Sequence, residues 1–342
     1  MHDTDKKFYI QWHITNLCNL RCKHCYHDNY TNARELDWAG LKRVSDNIAA
    51  ALKKWGRSAT ITVTGGEPFI KKELFLLLGY LNNIKEISEL NIITNLTTIN
   101  NSVMSRLRGI PKLRCIKFSL EGMSPKTNDP IRGPHSFNKI MESLEVLERF
   151  KQFERHLMFT VLKSNLKEIP KVFSFVKEHD LDGFILERFI PIGNGASIKN
   201  EVLSKDDWKE VTDMMQEFCQ INADEDAILA QRAFWVKHLD STFELMGAPC
   251  TVASDGFCIM PDSTVLPCRR FNIPVGILLD NTLEEIWDKS NFLKSLKKKS
   301  NLKGKCKTCP IDECRGCRAL AHSLTGDYLE EDSQCWYEKQ AT

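Results

Sequence analysis

Between residues 8 and 195 the chain switches back and forth between two hydrophobic periods. Short alternating or β-branched runs predict strands: FYIQWHI (8–14), ATITVTGGEP (59–68), LNIITN (90–95), LRCIKFSLEG (113–122), HLMFTVLKSN (156–165) and LDGFILERFIPIGNG (181–195). Between them, LDWAGLKRVSDNIAAALKKW (36–55), ELFLLLGYLNNI (73–84), NNSVMSRLRGI (100–110), SFNKIMESLEVLERF (136–150) and LKEIPKVFSFVKEH (166–179) place apolar residues at helical spacing. Strand alternating with helix, without hairpin turns, implies an α/β fold of parallel strands joined by right-handed crossovers, either a doubly wound sheet or a barrel. Both architectures hold ligands at the carboxyl ends of the strands. The loop after the first strand, Gly65-Gly66-Glu67 after the second, Thr94-Asn95 after the third, and Ser119 and Glu121 after the fourth all fall at that end.

Beyond about residue 200 the pattern changes. SKDDWKEVTDMMQEFC (204–219) and the stretch 226–246 read as helical, and from Pro249 the chain is cysteine-rich with short strand-like pieces. The expected organisation is 1–203 as the α/β unit, 204–245 as a helical connector and 246–342 as a small C-terminal domain. The lysine run KSLKKKSNLKGKCK (294–307) reads as solvated surface.

The composition is that of an ordinary globular protein, 42% hydrophobic and 27% charged over 342 residues. With 47 basic and 45 acidic residues, nothing calls for nucleic acid as a bulk electrostatic partner. No apolar run approaches the roughly 20 residues of a membrane span. The N-terminal MHDTDKKFYIQWH is charged and then alternates, unlike a signal peptide, so a cytoplasmic location is expected.

The 13 cysteines do change the picture. In a reducing compartment clustered cysteines point to metal rather than to disulfides. Cys18, Cys22 and Cys25 lie in one short loop, and eight more fall between Cys250 and Cys335. Cys115 and Cys219 stand alone and read as small buried hydrophobes. A closed iron–sulfur or zinc site takes four ligands, so three thiols in one loop leave a coordination position open, and open positions are where chemistry occurs. His13, His24 and His27 flank the loop and read mainly as structural residues.

CNLRCKHCY (18–26) resembles the signature of radical S-adenosylmethionine enzymes, with aromatic Tyr26 directly after the third cysteine. The resemblance implies a partial (β/α)6 barrel. It also implies a 4Fe–4S cluster on Cys18, Cys22 and Cys25 whose open iron is chelated by S-adenosylmethionine. Reductive cleavage of that cofactor yields a 5′-deoxyadenosyl radical that abstracts hydrogen. TGGEP (64–68) resembles the family's glycine-rich motif, making Gly65, Gly66 and Glu67 cofactor-binding candidates. Thr94 and Asn95, Ser119, Arg132 as a carboxylate partner, and Ile192 in FIPIGNG beside the adenine complete the set.

CKTCPIDECRGC (306–317) followed by Cys335 resembles the SPASM extension of such enzymes. Carried over, Cys250, Cys258, Cys268 and Cys317 would hold one auxiliary 4Fe–4S cluster, and Cys306, Cys309, Cys314 and Cys335 a second. That makes three clusters in all. Ser263 stands where the motif has glycine. A four-cysteine zinc site is the rival reading, but it leaves four thiols unused.

The SPASM group acts mostly on peptides, so the favoured expectation is a peptide-modifying maturase that cross-links, oxidises or epimerises its substrate. Arg269 and Arg270 follow Cys268 where sulfatase-type maturases carry an aspartate base; an arginine cannot accept a proton, and the pair suits an acidic peptide instead. Few residues precede the first strand, so peptide recognition is expected at the barrel mouth, in the 204–246 segment or on a separate leader-peptide recognition protein. A reductant such as flavodoxin or ferredoxin is the other expected partner; nucleic acid and membrane are not. The enzymatic alternative is a small molecule, such as a tetrapyrrole or cofactor precursor. The non-enzymatic alternative is an iron–sulfur electron carrier, which would gain nothing from an open iron.

Overall fold

A computed structural model describes residues 7–337. Six parallel strands follow one another through the first half: β1 (Phe8–His13), β2 (Ala59–Thr64), β3 (Ile87–Thr94), β4 (Leu113–Ser119), β5 (Glu154–Val161) and β6 (Gly183–Arg188). Each pairs in register with the next, for example Ile10 with Ile61 and Phe118 with Leu157. The crossovers carry α1 (Trp38–Trp55), α2 (Leu74–Asn82), α3 (Asn101–Leu107), α4 (Pro125–Arg132), α5 (Ser136–Leu147) and α6 (Ile169–Glu178). This is the partial (β/α)6 barrel.

Local chemistry accounts for the elements. In α1 the side chain of Asp37 accepts from the Gly40 N–H at 2.9 Å and caps the start. Leu41, Val44, Ile48 and Leu52 form its buried stripe, and Gly56 ends it at φ 64°. Pro170 occupies the first turn of α6, where no N–H is needed. Helix α4 had no sequence expectation, because Pro130 inside it masks the pattern.

The connector corrects one expectation. The expected helix over 204–219 is present as α7 (Lys205–Phe218), but of the second stretch only α8 (Glu225–Leu229) is helical. The rest of the expected helix over 226–246 is a hairpin, β7 (Gln231–Leu239) and β8 (Thr242–Leu245), turning at Asp240 with φ 54°. Phe234 and Val236 are buried on one face, and β7 adds to the barrel edge antiparallel to β6. Half-buried alternation over so few residues is hard to tell from a helical stripe by period alone.

The C-terminal region does not stand apart. After β9 (Ala248–Pro249), β10 (Gly256–Ile259) pairs parallel with β1, and β11 (Thr264–Leu266) and β12 (Gly276–Ile277) extend the same sheet. The sheet thus runs β12-β11-β10-β1-β2-β3-β4-β5-β6-β7-β8. At Ser263 the backbone is left-handed, φ 70°, which explains why glycine suits that turn. No helix among the described residues is long and apolar enough to cross a membrane.

Candidate active site and auxiliary cysteine sites

Cys18, Cys22 and Cys25 line one cavity of about 190 Å3 at the carboxyl ends of the barrel strands. The loop that carries them is held by the barrel backbone. The Gly66 N–H donates to Thr15 O and the Glu67 N–H to Leu17 O, both at 2.8 Å. A Cβ on Gly65 would lie 2.5 Å from Thr15 O, and one on Gly66 2.3 Å from Leu17 O. The two glycines therefore let the second loop lie directly against the cysteine loop. Both also line the cavity, where the sequence expectation placed them as cofactor-binding candidates.

Glu67 does not line the cavity. Its buried carboxylate accepts from Thr94 Oγ1 and the Asn95 N–H, both at 2.8 Å, and from the Phe69 N–H at 3.2 Å. Desolvation raises it to about 7 despite those bonds. It anchors the third-strand loop, whose Thr94 and Asn95 do line the cavity. Asn95 in turn donates to Cys18 Sγ at 3.7 Å. Ser119 and Tyr26 also face this space; Ile192 does not, and Ile190 takes that place.

Arg132 lines the cavity but is already paired, donating to Glu121 Oε2 at 2.6 Å. His24 Nε2 lies 3.4 Å from the other oxygen of Glu121. His27 lies between Gly65 O and Arg269, each at 3.3 Å. Burial and then the Arg269 charge hold His27 down to about 3. The ring is therefore neutral, accepting from Arg269 and donating to Gly65 O. Arg269 also lies over the Tyr26 ring, 4.4 Å from its centroid. The sequence offered no signal for Glu121 as a holder of Arg132, whose pairing depends on how α4 folds back on β4, nor for the His27–Arg269–Tyr26 stack, in which Arg269 lies 242 positions from His27 and 243 from Tyr26.

The C-terminal cysteines fall into two groups. Cys250, Cys258, Cys268 and Cys317 line a second cavity of about 530 Å3, and Cys306, Cys309, Cys314 and Cys335 line a small third one. No disulfide forms among the described cysteines. Between the groups runs a buried charge network. Asp332 accepts from Arg188 and Arg232, each at 2.9 Å, and from the Cys317 N–H at 2.8 Å. The two arginines hold its carboxyl down to about 2 against desolvation. Arg232 lines both cysteine cavities and donates to Cys314 Sγ at 2.7 Å.

All three groups suit iron–sulfur clusters by their donor chemistry. N–H groups already point at the sulfurs: Leu20 to Cys18 and His27 to Cys25 at 3.4 Å, Asp332 to Cys306 at 3.4 Å and Gly316 to Cys314 at 3.5 Å. Burial first, and then neighbouring acidic groups and thiols, push Cys22 up to about 12 and Cys250 to about 11. Such thiols become thiolates only beside a cation. A further trio, Cys115, Glu154 and His156, lies within ligand reach at the opposite, amino-terminal end of β4 and β5.

Comparison with known proteins agrees with these features. Residues 12–176 match the Radical SAM superfamily, and residues 250–310 match SPASM, an iron–sulfur cluster-binding domain. The AdoMet-dependent heme synthase of Methanosarcina barkeri is 28% identical over 96% of both chains. The mycofactocin maturase MftC of Mycolicibacterium smegmatis is 23% identical, covering 97% of this chain and 83% of its own. Among solved structures, Streptococcus suis SuiB bound to S-adenosylmethionine superposes with a TM-score of 0.71 over 97% of this chain and 77% of SuiB, at 16% identity, and shares the fold. The chain belongs to the radical S-adenosylmethionine superfamily and is an enzyme of that superfamily with a C-terminal SPASM domain.

Proposed function

We propose that the protein abstracts hydrogen from a carboxylate-bearing tetrapyrrole or a closely similar flat acid, with Cys18, Cys22 and Cys25 holding the cluster at which S-adenosylmethionine binds. This reading prefers the small-molecule alternative to the peptide substrate that the sequence favoured. The observation that carries it is the cavity of about 530 Å3, which shares Tyr9, Gln11, Lys117, Ile185, Arg269 and Arg270 with the space around the cysteine loop. Its remaining wall includes Trp235, Met246, Val252 and Phe257, so an apolar body meets a cationic rim. A cluster on Cys250, Cys258, Cys268 and Cys317 would occupy one end of it. The full-length similarity to a heme synthase supports the same class.

When bound, the loop cluster and S-adenosylmethionine supply the one-electron cleavage that starts hydrogen abstraction. The chain's own residues orient and shield. Gly65 and Gly66 fix the cysteine loop, and Glu67 fixes Thr94 and Asn95 beside it. Glu121 holds the Arg132 guanidinium in place, leaving its Nε unpartnered. Tyr26 and Arg269 close the side toward the second cavity. The two auxiliary groups then hold two further 4Fe–4S clusters, giving three, with Arg232 between them.

The similarity to a mycofactocin maturase keeps a peptide substrate as the second reading. The test offers anaerobic, reduced protein a panel of ring-deuterated and side-chain-deuterated iron porphyrin carboxylates and, in parallel, acidic peptides. Deuterium in 5′-deoxyadenosine from a porphyrin supports the proposal. Deuterium from peptides alone replaces it with the second reading.

A further inference from the structure

Lys117 is set apart from the other cations of the site. It sits in the middle of β4 with its side chain inside the barrel, only 7% exposed, and it lines both the cysteine-loop cavity and the larger one. The other buried cations there have protein partners. Arg132 pairs with Glu121 at 2.6 Å, Arg188 and Arg232 with Asp332 at 2.9 Å, and Arg270 with Glu187 at 3.1 Å. Arg269 is used to tie the Tyr26 carbonyl and His27. Among the described residues the Lys117 side chain has no ion pair and no hydrogen bond; it lies over the Trp235 ring, 5.3 Å from the centroid, and its charge also reaches the neutral Cys115 and His156. An ammonium held out of water without a counter-ion is costly, and a site bears that cost where an anion arrives to meet it.

We propose that Lys117 is the substrate-binding residue that receives a carboxylate, at the junction of the two cavities. From β4 its side chain lines the same cavity as the cysteine loop, and Trp235 offers a flat apolar face beside it. A planar acid seated on Trp235 with its carboxylate on Lys117 would span the passage between the loop cavity and the auxiliary cavity. The proposal rests on the reading above in one respect, that the substrate is an acid with an apolar body.

The experiment uses full-length, anaerobically reconstituted protein and two matched pairs of probes: haem with its dimethyl ester, and 2-naphthoate with 2-naphthamide. Wild type is expected to prefer each acid over its neutral partner by about 10-fold or more. Lys117→Met should weaken acid binding by about 30-fold, with ester and amide affinities within about twofold of wild type. Lys117→Arg should keep the acid preference. A variant-free readout accompanies these: naphthoate, and not the amide, should protect Lys117 of the wild type from reductive methylation. Acid preference retained in Lys117→Met overturns the proposal, as do equal protection by acid and amide and an equally large loss of S-adenosylmethionine affinity. If haem fails to bind while naphthoate behaves as expected, the tetrapyrrole reading falls and Lys117 stands. If haem binds but neither pair shows an acid preference, Lys117 falls and the tetrapyrrole reading stands.

Discussion

The cysteine loop and the C-terminal cysteines solve the same problem in different ways. Cys18, Cys22 and Cys25 come from one short segment that the barrel holds from outside, through backbone bonds from Gly66 and Glu67. The eight C-terminal cysteines come from segments spread over residues 250–335, and side-chain charges hold them together: Asp332 with Arg188 and Arg232. The first arrangement is held by backbone bonds of the barrel itself. The second gathers its sulfurs across long loops, so iron itself should supply much of its cohesion. On the proposed assignment, the open, reactive site sits on the barrel frame, while the closed sites are built from chain that the metal helps to fold.

The largest effect expected from breaking this contrast is at Asp332. Asp332→Ala leaves two buried arginines without a counter-charge and should cost about 3–5 kcal/mol. Thermal unfolding and iron analysis should show auxiliary iron lost while the loop iron and S-adenosylmethionine cleavage persist. Loss of both together would show that the two regions are not independent.

The reverse experiment is Gly66→Ala. The new Cβ would meet the Leu17 carbonyl oxygen at 2.3 Å, a backbone atom that cannot simply swing aside. The strain should cost about 1–3 kcal/mol and displace the cysteine loop. About four irons should be lost, with the auxiliary clusters intact. Retention of all iron with normal cleavage would show that the loop tolerates the shift and is not held as described.

The smallest effect is expected at Ser263. Its left-handed backbone costs about 1–2 kcal/mol in a non-glycine residue, but its buried hydroxyl accepts from the Leu279 N–H at 3.4 Å. A net hydrogen bond is worth about 1 kcal/mol, so Ser263→Gly should shift stability by less than about 1 kcal/mol. A larger loss by denaturant titration would mean that the hydroxyl supports the C-terminal region more than its geometry suggests.

The same contrast explains what was legible in the sequence. The barrel strands carry local, strongly apolar runs, so their order and the loops that follow them could be read directly. Cysteine spacing is also local, which made the groups of Cys18–Cys25 and Cys306–Cys317 visible. What escaped depends on distance. Asp332 lies 144 positions from Arg188, and Arg269 meets Tyr26 and His27 only once β10 lies beside β1. Lys117 looked like one polar residue in an alternating strand; nothing local tells whether such a residue faces water or the barrel interior. The β7–β8 hairpin was misread as helix because its buried Phe234 and Val236 follow the buried Ile228 and Leu229 of α8 closely enough to read as one helical stripe.

The central claim is that the loop site is open and the auxiliary sites are closed. Electron paramagnetic resonance of the reduced protein with and without S-adenosylmethionine, in wild type and in the Cys18, Cys22, Cys25 triple alanine variant, tests it most directly. The account predicts about twelve irons in wild type, in three clusters of four, and a cluster signal that shifts when the cofactor is added. It predicts about eight irons in the variant and no shift. A shift that survives in the variant would contradict the account, because an auxiliary cluster would then be the one that offers an open iron.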